Sequence, residues 1–207
     1  MTAAALLGVL LACAAPRLDA APPEVTVTLR VRVAHSIVAR VPMAVLREET
    51  ESLWRPYGVQ LDWRDATAPL EEAAGFPVDV TLERFDLAPW SAILGNATMG
   101  INHSHGPIRL SFDAAGRVLA AAPIARTSGS RVVTDREMAR ALGRVLAHEI
   151  GHVLLAAPYH DAAGLMRANF SASDLASLDR TPFQLSCNGV ARLRTRVDVL
   201  TRNAALF

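Results

Sequence analysis

Residues 148–152 read His-Glu-Ile-Gly-His, a spacing that suits metal-assisted hydrolysis. His148 and His152 are four positions apart, so on an α-helix they lie on one face, about one turn from each other. Both imidazoles can therefore reach one metal ion. Glu149 directly follows the first histidine, and there its carboxylate can act as general base toward a metal-bound water. The motif predicts a zinc site with hydrolytic chemistry.

A catalytic zinc needs a third protein ligand and keeps a fourth position open. No glutamate follows Glu149 in the chain, so the thermolysin arrangement, with its downstream glutamate ligand, has no candidate residue. The nearest strong ligand is His160. Pro158 disfavours helix at the residue before it and cannot donate a backbone hydrogen bond, so we expect the helix to end and the chain to turn back. Asp161 is an alternative oxygen ligand, and Asp174 a weaker one.

The order of this motif, a third histidine and a Gly-Leu-Met turn ending at Met166 resembles the metzincins, and within them the matrixin-like peptidases. Residues 78–82 and 170–175 are also similar to segments of that family. In metzincins three histidines hold zinc, the glutamate is the base, and the methionine forms a hydrophobic floor beneath the metal. The resemblance implies these roles for His148, His152, His160, Glu149 and Met166, with Zn²⁺ as the cofactor.

Two features depart from the family pattern. The family usually has a glycine three residues after the second histidine, where this chain has Leu155. It also usually has five residues between the second and third histidines, where this chain has seven. We expect the helix to run about half a turn further before it breaks. Gly151, in the middle of the helix, is expected to let another segment approach the metal face closely.

The other histidines and the cysteines give weaker signals. His103 and His105 lie in a region where some matrixins bind a second, structural zinc, but no acidic partner is near, so a solvated loop is favoured. His35 has no partner in the sequence. Cys187 is expected to be an idle thiol, because the other cysteine, Cys13, lies in the presumed leader.

Length and composition fit one domain with a leader. The chain has 207 residues and a formal net charge of +1, so no strong field points to nucleic acid or to an anionic membrane. Residues 1–21 resemble a secretory signal peptide without its positive start, and 22–207 are expected to form one zinc peptidase domain. Leu10 to Cys13 also resembles a bacterial lipobox, which would anchor the protein through Cys13. The expected location is secreted, periplasmic or at the cell envelope.

Alternating and helical hydrophobic patterns predict the elements that must position the motif. Thr134 and Glu137 fit a capping box at the start of the active-site helix, and Ser171 with Asp174 fits a second one. The predicted strands are 25–33, 59–63, 78–85, 94–101 and 108–112; the predicted helices are 42–54, one from 134 through the motif, 171–178 and 188–201; 67–77 is predicted to be a loop and 113–116 a turn.

This order of elements suits an α+β, metzincin-like fold with a twisted mixed sheet, an active-site helix and a C-terminal helical subdomain. In that family an edge strand above the zinc pairs with the extended substrate. Residues 98–102 and 108–112 are equal candidates for it. The sequence predicts a monomeric zinc endopeptidase acting on peptides or proteins. A non-catalytic zinc-binding module, with Asp161 as a fourth ligand, and a metal-dependent amidase acting on cell-wall links remain alternatives.

Overall fold

The computed structural model describes residues 25–69, 75–85, 94–99, 105–121, 132–156 and 160–204. This part of the chain forms one sheet with α-helices packed around it. The strands are β1 (Val25–Val33), β2 (Val59–Asp65), β3 (Phe76–Glu83), β4 (Gly95–Met99) and β5 (His105–Ser111). The α-helices are α1 (Met43–Trp54), α2 (Phe112–Ala120), α3 (Asp135–Leu155), α4 (Ala172–Ala176) and α5 (Cys187–Ala204).

The sheet has five strands in the order β2-β1-β3-β5-β4. Strands β2, β1, β3 and β5 run parallel to one another, and β4 runs antiparallel to β5. Strand β4 therefore lies at one edge, with a register irregularity between Ala97 and Met99. Of the two candidates for the edge strand, 98–102 overlaps β4, whereas 108–112 falls mostly in β5 inside the sheet. The mixed sheet and the helices confirm the expected fold class.

Helix α3 forms the centre of the molecule. It packs against α1, α2, α4, α5, β4 and β5, and nearly all of its residues from Met138 to Leu155 are buried. The sequence predicted one apolar stripe facing the sheet. The other faces are buried as well, because they carry small residues that let neighbouring elements approach; a helix that is apolar on all sides belongs in an interior.

Helices α1 and α3 approach each other closely at Gly143. A Cβ atom there would lie 2.8 Å from the Leu46 carbonyl oxygen, which is closer than real contacts allow. The Thr50 hydroxyl donates to the Gly143 carbonyl (3.1 Å), and the Trp54 indole N–H donates to the Ala147 carbonyl (3.1 Å). These buried bonds fix α1 along the helix that carries the motif.

The predicted turn at 113–116 is wrong, because these residues belong to helix α2. Ser111 caps that helix by accepting a hydrogen bond from the Ala114 backbone N–H (3.1 Å). Phe112, Ala115 and Leu119 are buried on one side of it. The run Asp-Ala-Ala-Gly resembles a turn only locally; the cap and the apolar spacing make it a helix.

Other sequence predictions need smaller corrections. The loop predicted for 67–77 is too long, since β3 already begins at Phe76, and α4 ends at Ala176, two residues early. Cys187 is disulfide-bonded, so the expectation of an idle thiol is wrong; its partner lies outside the described residues. Residues 1–21, including Cys13, and His103 lie outside them too. No helix in the described ranges is long and apolar enough to span a membrane.

Candidate metal centre

The sequence fixes where the site-bearing helix starts. The Thr134 hydroxyl accepts from the Glu137 backbone N–H (3.2 Å), and the Glu137 carboxylate accepts from the Thr134 backbone N–H (3.0 Å). This is the predicted capping box, and it satisfies two backbone donors that a helix start leaves free. The motif lies more than three turns further along α3, deep in the packed part of the helix.

The three predicted histidine ligands lie together. One ring nitrogen from each of His148, His152 and His160 is within 4.8 Å of the others. The Nε2 atoms of His148 and His152 face each other at 3.0 Å. The first two rings are buried and the third is exposed, so the cluster lies between the core and solvent. Among the described residues, this is the group of side chains close enough to share a metal ion.

Hydrogen bonding sets the protonation of His148. Its Nδ1 lies 2.7 Å from the Leu165 carbonyl oxygen, and because a carbonyl only accepts, Nδ1 must carry the proton. The Nε2 lone pair is then left facing the cluster, as a metal ligand requires. Burial is the main cause that lowers the pKa of His148 to about 4, with His152 and His160 adding to it. The ring is therefore neutral at pH 7.

Glu149 is buried beside the cluster, and within the described ranges no ion pair to it is found. Its side chain is 5% exposed and lines the same cleft as the histidines. Burial raises the pKa of this carboxyl to about 7, against an opposing hydrogen bond from the Ala97 backbone on strand β4. A carboxyl with a pKa near neutrality can both take and return a proton at physiological pH.

Helix α3 ends at Leu155, and the next residue reverses the chain. Ala156 has φ of +48°, in the left-handed region that favours glycine. The family position expected to carry this turn is one residue earlier, so here the turn is displaced along the chain and formed by an alanine. Residues 157–159, including Pro158, lie outside the described residues. The chain resumes at His160, beside the other two histidines.

Met166 lies directly beneath the motif and explains Gly151. The methionine is fully buried, and a Cβ atom at Gly151 would lie 2.2 Å from its sulfur. Glycine is therefore required for the two segments to touch, as the sequence suggested. Gly164, with φ of +85°, shapes the preceding turn, and a Cβ there would meet the Gln184 carbonyl oxygen at 2.3 Å.

The two aspartates considered as alternative ligands point to other partners. The Asp161 carboxylate accepts from the Ser186 hydroxyl (2.7 Å), and its backbone N–H donates to the Met166 carbonyl (2.8 Å). Asp174 caps helix α4 at Ser171 and pairs with Arg167 (2.8 Å). Neither joins the histidine cluster. Both instead hold the chain that follows it.

A 580 Å³ cleft opens onto the cluster. Residues 95–97 of strand β4, the three histidines, Glu149 and residues 168–170 line it. Leu94, Val118 and Val145 make a further part of the lining apolar. Val118 comes from α2, so the sequence missed it because it read the start of that helix as a turn.

The donor set fits zinc. Three imidazoles with one buried carboxylate beside them match a catalytic site that keeps one position for water. Tetrahedral bonds of roughly 2.05 Å would place ligand nitrogens about 3.3 Å apart, near the 3.0 Å between the two facing Nε2 atoms. Two ring nitrogens at this separation are close enough to bind the same cation.

A buried charged residue on the same helix was not predicted from the sequence. Arg144, one turn before His148, is 0% exposed and donates through Nε to the Glu49 carboxylate on α1 (2.7 Å). A motif search has no reason to flag an arginine at this position. The signal available was its spacing, four residues before His148 and so on the same face of the helix.

Comparison with known proteins supports the architecture. The sequence matches no family profile and no curated protein. The structure is similar to the crystal structure of archaemetzincin from Methanopyrus kandleri, with a TM-score of 0.51 and 15% sequence identity, over 87% of this chain and 99% of that one. At this identity the likeness shows the fold. The chain therefore has a metzincin-like fold, with the histidine cluster in its cleft.

Proposed function

We propose that this protein is a zinc-dependent endopeptidase. The observation that supports it most is the convergence of three histidine nitrogens with a buried carboxylate in one cleft. A purely structural zinc favours four protein ligands, and Asp161, the residue named for that place, is hydrogen-bonded to Ser186 instead. The matrixin-like assignment rests on the sequence pattern alone and stays a prediction.

In this proposal His148, His152 and His160 hold the zinc. A bound zinc polarises the scissile carbonyl and lowers the pKa of its water to roughly 7. Glu149 would serve as general base for water activated there and as general acid toward the leaving amine, roles that a carboxyl pKa of about 7 suits. The Leu165 carbonyl holds His148 in the tautomer that leaves Nε2 free.

Strand β4 gives the substrate a place to bind. It is an edge strand of the sheet, and its residues 95–97 line the same cleft as the histidines. An extended peptide can add to such an edge through backbone hydrogen bonds. The cleft walls carry Leu94, Val118, Val145 and Phe170, so we propose that substrates present an apolar side chain there.

The proposal includes export from the cytoplasm. It rests on the apolar run at residues 1–21 and not on the fold. Localisation of the full-length protein in fractionated cells tests it independently of catalysis.

Peptide cleavage and metal content together test the function. Wild type should contain about one zinc per chain and cleave an unstructured protein such as casein. Glu149→Ala should keep the zinc and lose nearly all cleavage, because the base is gone but the ligands remain. His160→Ala should lose most of the zinc, whereas His35→Ala, an exposed histidine away from the site, serves as the control. Equal cleavage by wild type and by Glu149→Ala would contradict the proposed mechanism.

A further inference from the structure

We propose that Arg144 is a positioning residue for the metal centre: together with Glu49 it locks the chain after Met166 against helix α3. This proposal rests on the proposed function only because the site that Arg144 would position is the zinc site. Arg144 lies four residues before His148, hence one turn away on the same face of the helix. Its hydrogen bonds within the described ranges go to Glu49, Asp174 and Asp179.

The guanidinium binds the C-terminal chain directly. Besides the Glu49 carboxylate, it donates through Nη1 to the Asp174 carbonyl and through Nη2 to the Asp179 carbonyl (3.2 Å). These two carbonyls lie in a stretch with little regular structure, only the five-residue α4 and a single 3-10 turn. A buried arginine with such acceptors fixes this stretch at one place along α3.

Glu49 connects these contacts to a third element, helix α1. It is 3% exposed, and its second oxygen accepts from Arg180 Nε (3.0 Å). Helix α1, helix α3 and the C-terminal chain are thus joined by one polar cluster, in which Arg144 and Glu49 are buried and Arg180 is exposed. Buried ion pairs seldom stabilise more than an apolar core of equal volume, so a gain in unfolding free energy is a poor account of this cluster.

Stacked rings connect the cluster to the metal ligands. The Arg144 guanidinium lies 4.5 Å from the Phe183 ring centre, and Phe183 stacks on Phe170 at 5.1 Å. Phe170 meets the His148 ring edge-on at 5.4 Å and lines the cleft. Arg167, next to Met166, pairs with Asp174 and lies over Phe170. Movement of the chain at Asp174 would therefore move the ring that supports His148.

The test separates positioning from stability with an apolar double variant. Arg144→Met/Glu49→Leu removes both buried charges at similar volume and should fold as stably as wild type or more so. Arg136→Met, an exposed arginine on the same helix, is the matched control. The readouts are cobalt(II) affinity with the visible spectrum of the bound ion, and amide hydrogen exchange of residues 161–170 in the metal-free protein.

We expect cobalt affinity to fall about tenfold or more in the double variant, as for other groups that orient metal ligands, with an altered spectrum and faster exchange at 161–170. Unchanged affinity, spectrum and exchange in a folded double variant would overturn the proposal, even if its stability changed. Should that variant not fold, Arg144→Lys decides by the same readouts, because lysine keeps the charge but cannot reach both carbonyls. Cobalt binding needs no peptidase activity, so failure of the proposed function would be seen separately as metal binding without cleavage.

Discussion

Two neighbouring side chains, His148 and Glu149, respond to burial in opposite directions. Burial disfavours charge, so it lowers the pKa of the histidine to about 4 and raises that of the glutamate to about 7. Near pH 7 the histidine is therefore a neutral ligand, and the glutamate is close to half-ionised. One apolar environment prepares both groups for different tasks at the same pH.

The raised pKa of Glu149 predicts a pH-dependent penalty in the metal-free protein. The charged form is disfavoured only in the folded state, so stability is lost as pH rises from 4.5 through about 7. The difference between a pKa of 4.5 and one of about 7 lowers the free energy of unfolding by roughly 3 kcal/mol at high pH. The Glu149→Gln variant should therefore unfold at a higher urea concentration than wild type at pH 8, and at nearly the same urea concentration at pH 4.

Urea unfolding with a chelator present checks this. His148 acts with the opposite sign, since its lowered pKa removes stability as pH falls from 6.5 toward 4. Because both proteins carry His148, its contribution largely cancels in the comparison. A gap between the variants that is the same at both pH values would show that the glutamate is not desolvated.

Gly151 predicts a second effect at the residue scale. Alanine is the better helix former by about 1 kcal/mol, but here its Cβ would lie 2.2 Å from the Met166 sulfur. Overpacking costs about 1–3 kcal/mol, so Gly151→Ala should lower the free energy of unfolding overall. Gly116→Ala in α2 is the control, because its Cβ would meet only the end of Met138, at 3.2 Å; it should be neutral or stabilising. Equal effects in the two helices would contradict the close contact.

At the scale of elements, helix α3 ends in a strained backbone conformation. Ala156 adopts φ of +48°, which costs an L-residue roughly 1–2 kcal/mol. Glycine avoids this cost but loses more backbone entropy on folding. Ala156→Gly should therefore stabilise the protein by up to about 1 kcal/mol, measured by thermal or urea unfolding.

Ala121→Gly is the matched control for that change. Ala121 also ends a helix, α2, but with φ of −78° in the right-handed region. Glycine has no conformational advantage there and should destabilise by roughly 0.5 kcal/mol. If both substitutions destabilised the protein, the left-handed turn after α3 would not be the state adopted in solution.

Local signals predicted elements where the decisive interactions are local. The capping boxes at Thr134 and Ser171 and the alternation in 25–33 are short-range patterns, and the corresponding elements are confirmed. Helix α2 was missed because a run of Asp-Ala-Ala-Gly is typical of a turn. Its identity depends on Ser111 as a cap and on burial of Leu119, which is a tertiary effect.

At the scale of the whole molecule, the sequence could name the ligand candidates but not their surroundings. Histidine spacing on one helix predicts two of the three nitrogens, and His160 was predicted as the nearest strong ligand beyond the helix end, in agreement with the metzincin resemblance. Nothing local indicates that Asp161 turns to Ser186, or that Arg144 meets Glu49, 95 positions earlier in the chain. Those contacts form only when α1, α3 and the C-terminal chain pack together.

The histidine cluster also joins two segments of the chain, so metal binding should stabilise the contact between them. His148 and His152 lie on α3, and His160 lies beyond the turn, so a bound ion ties that turn to the helix. An ion that binds only the folded state stabilises it by about 2.7 kcal/mol at a free concentration a hundred times Kd. Zinc should therefore raise the Tm of wild type, and a chelator should reverse the rise. His160→Ala should lose most of the effect, while His35→Ala should keep it. A zinc-induced shift of equal size in both variants would mean that the third histidine does not bind the ion.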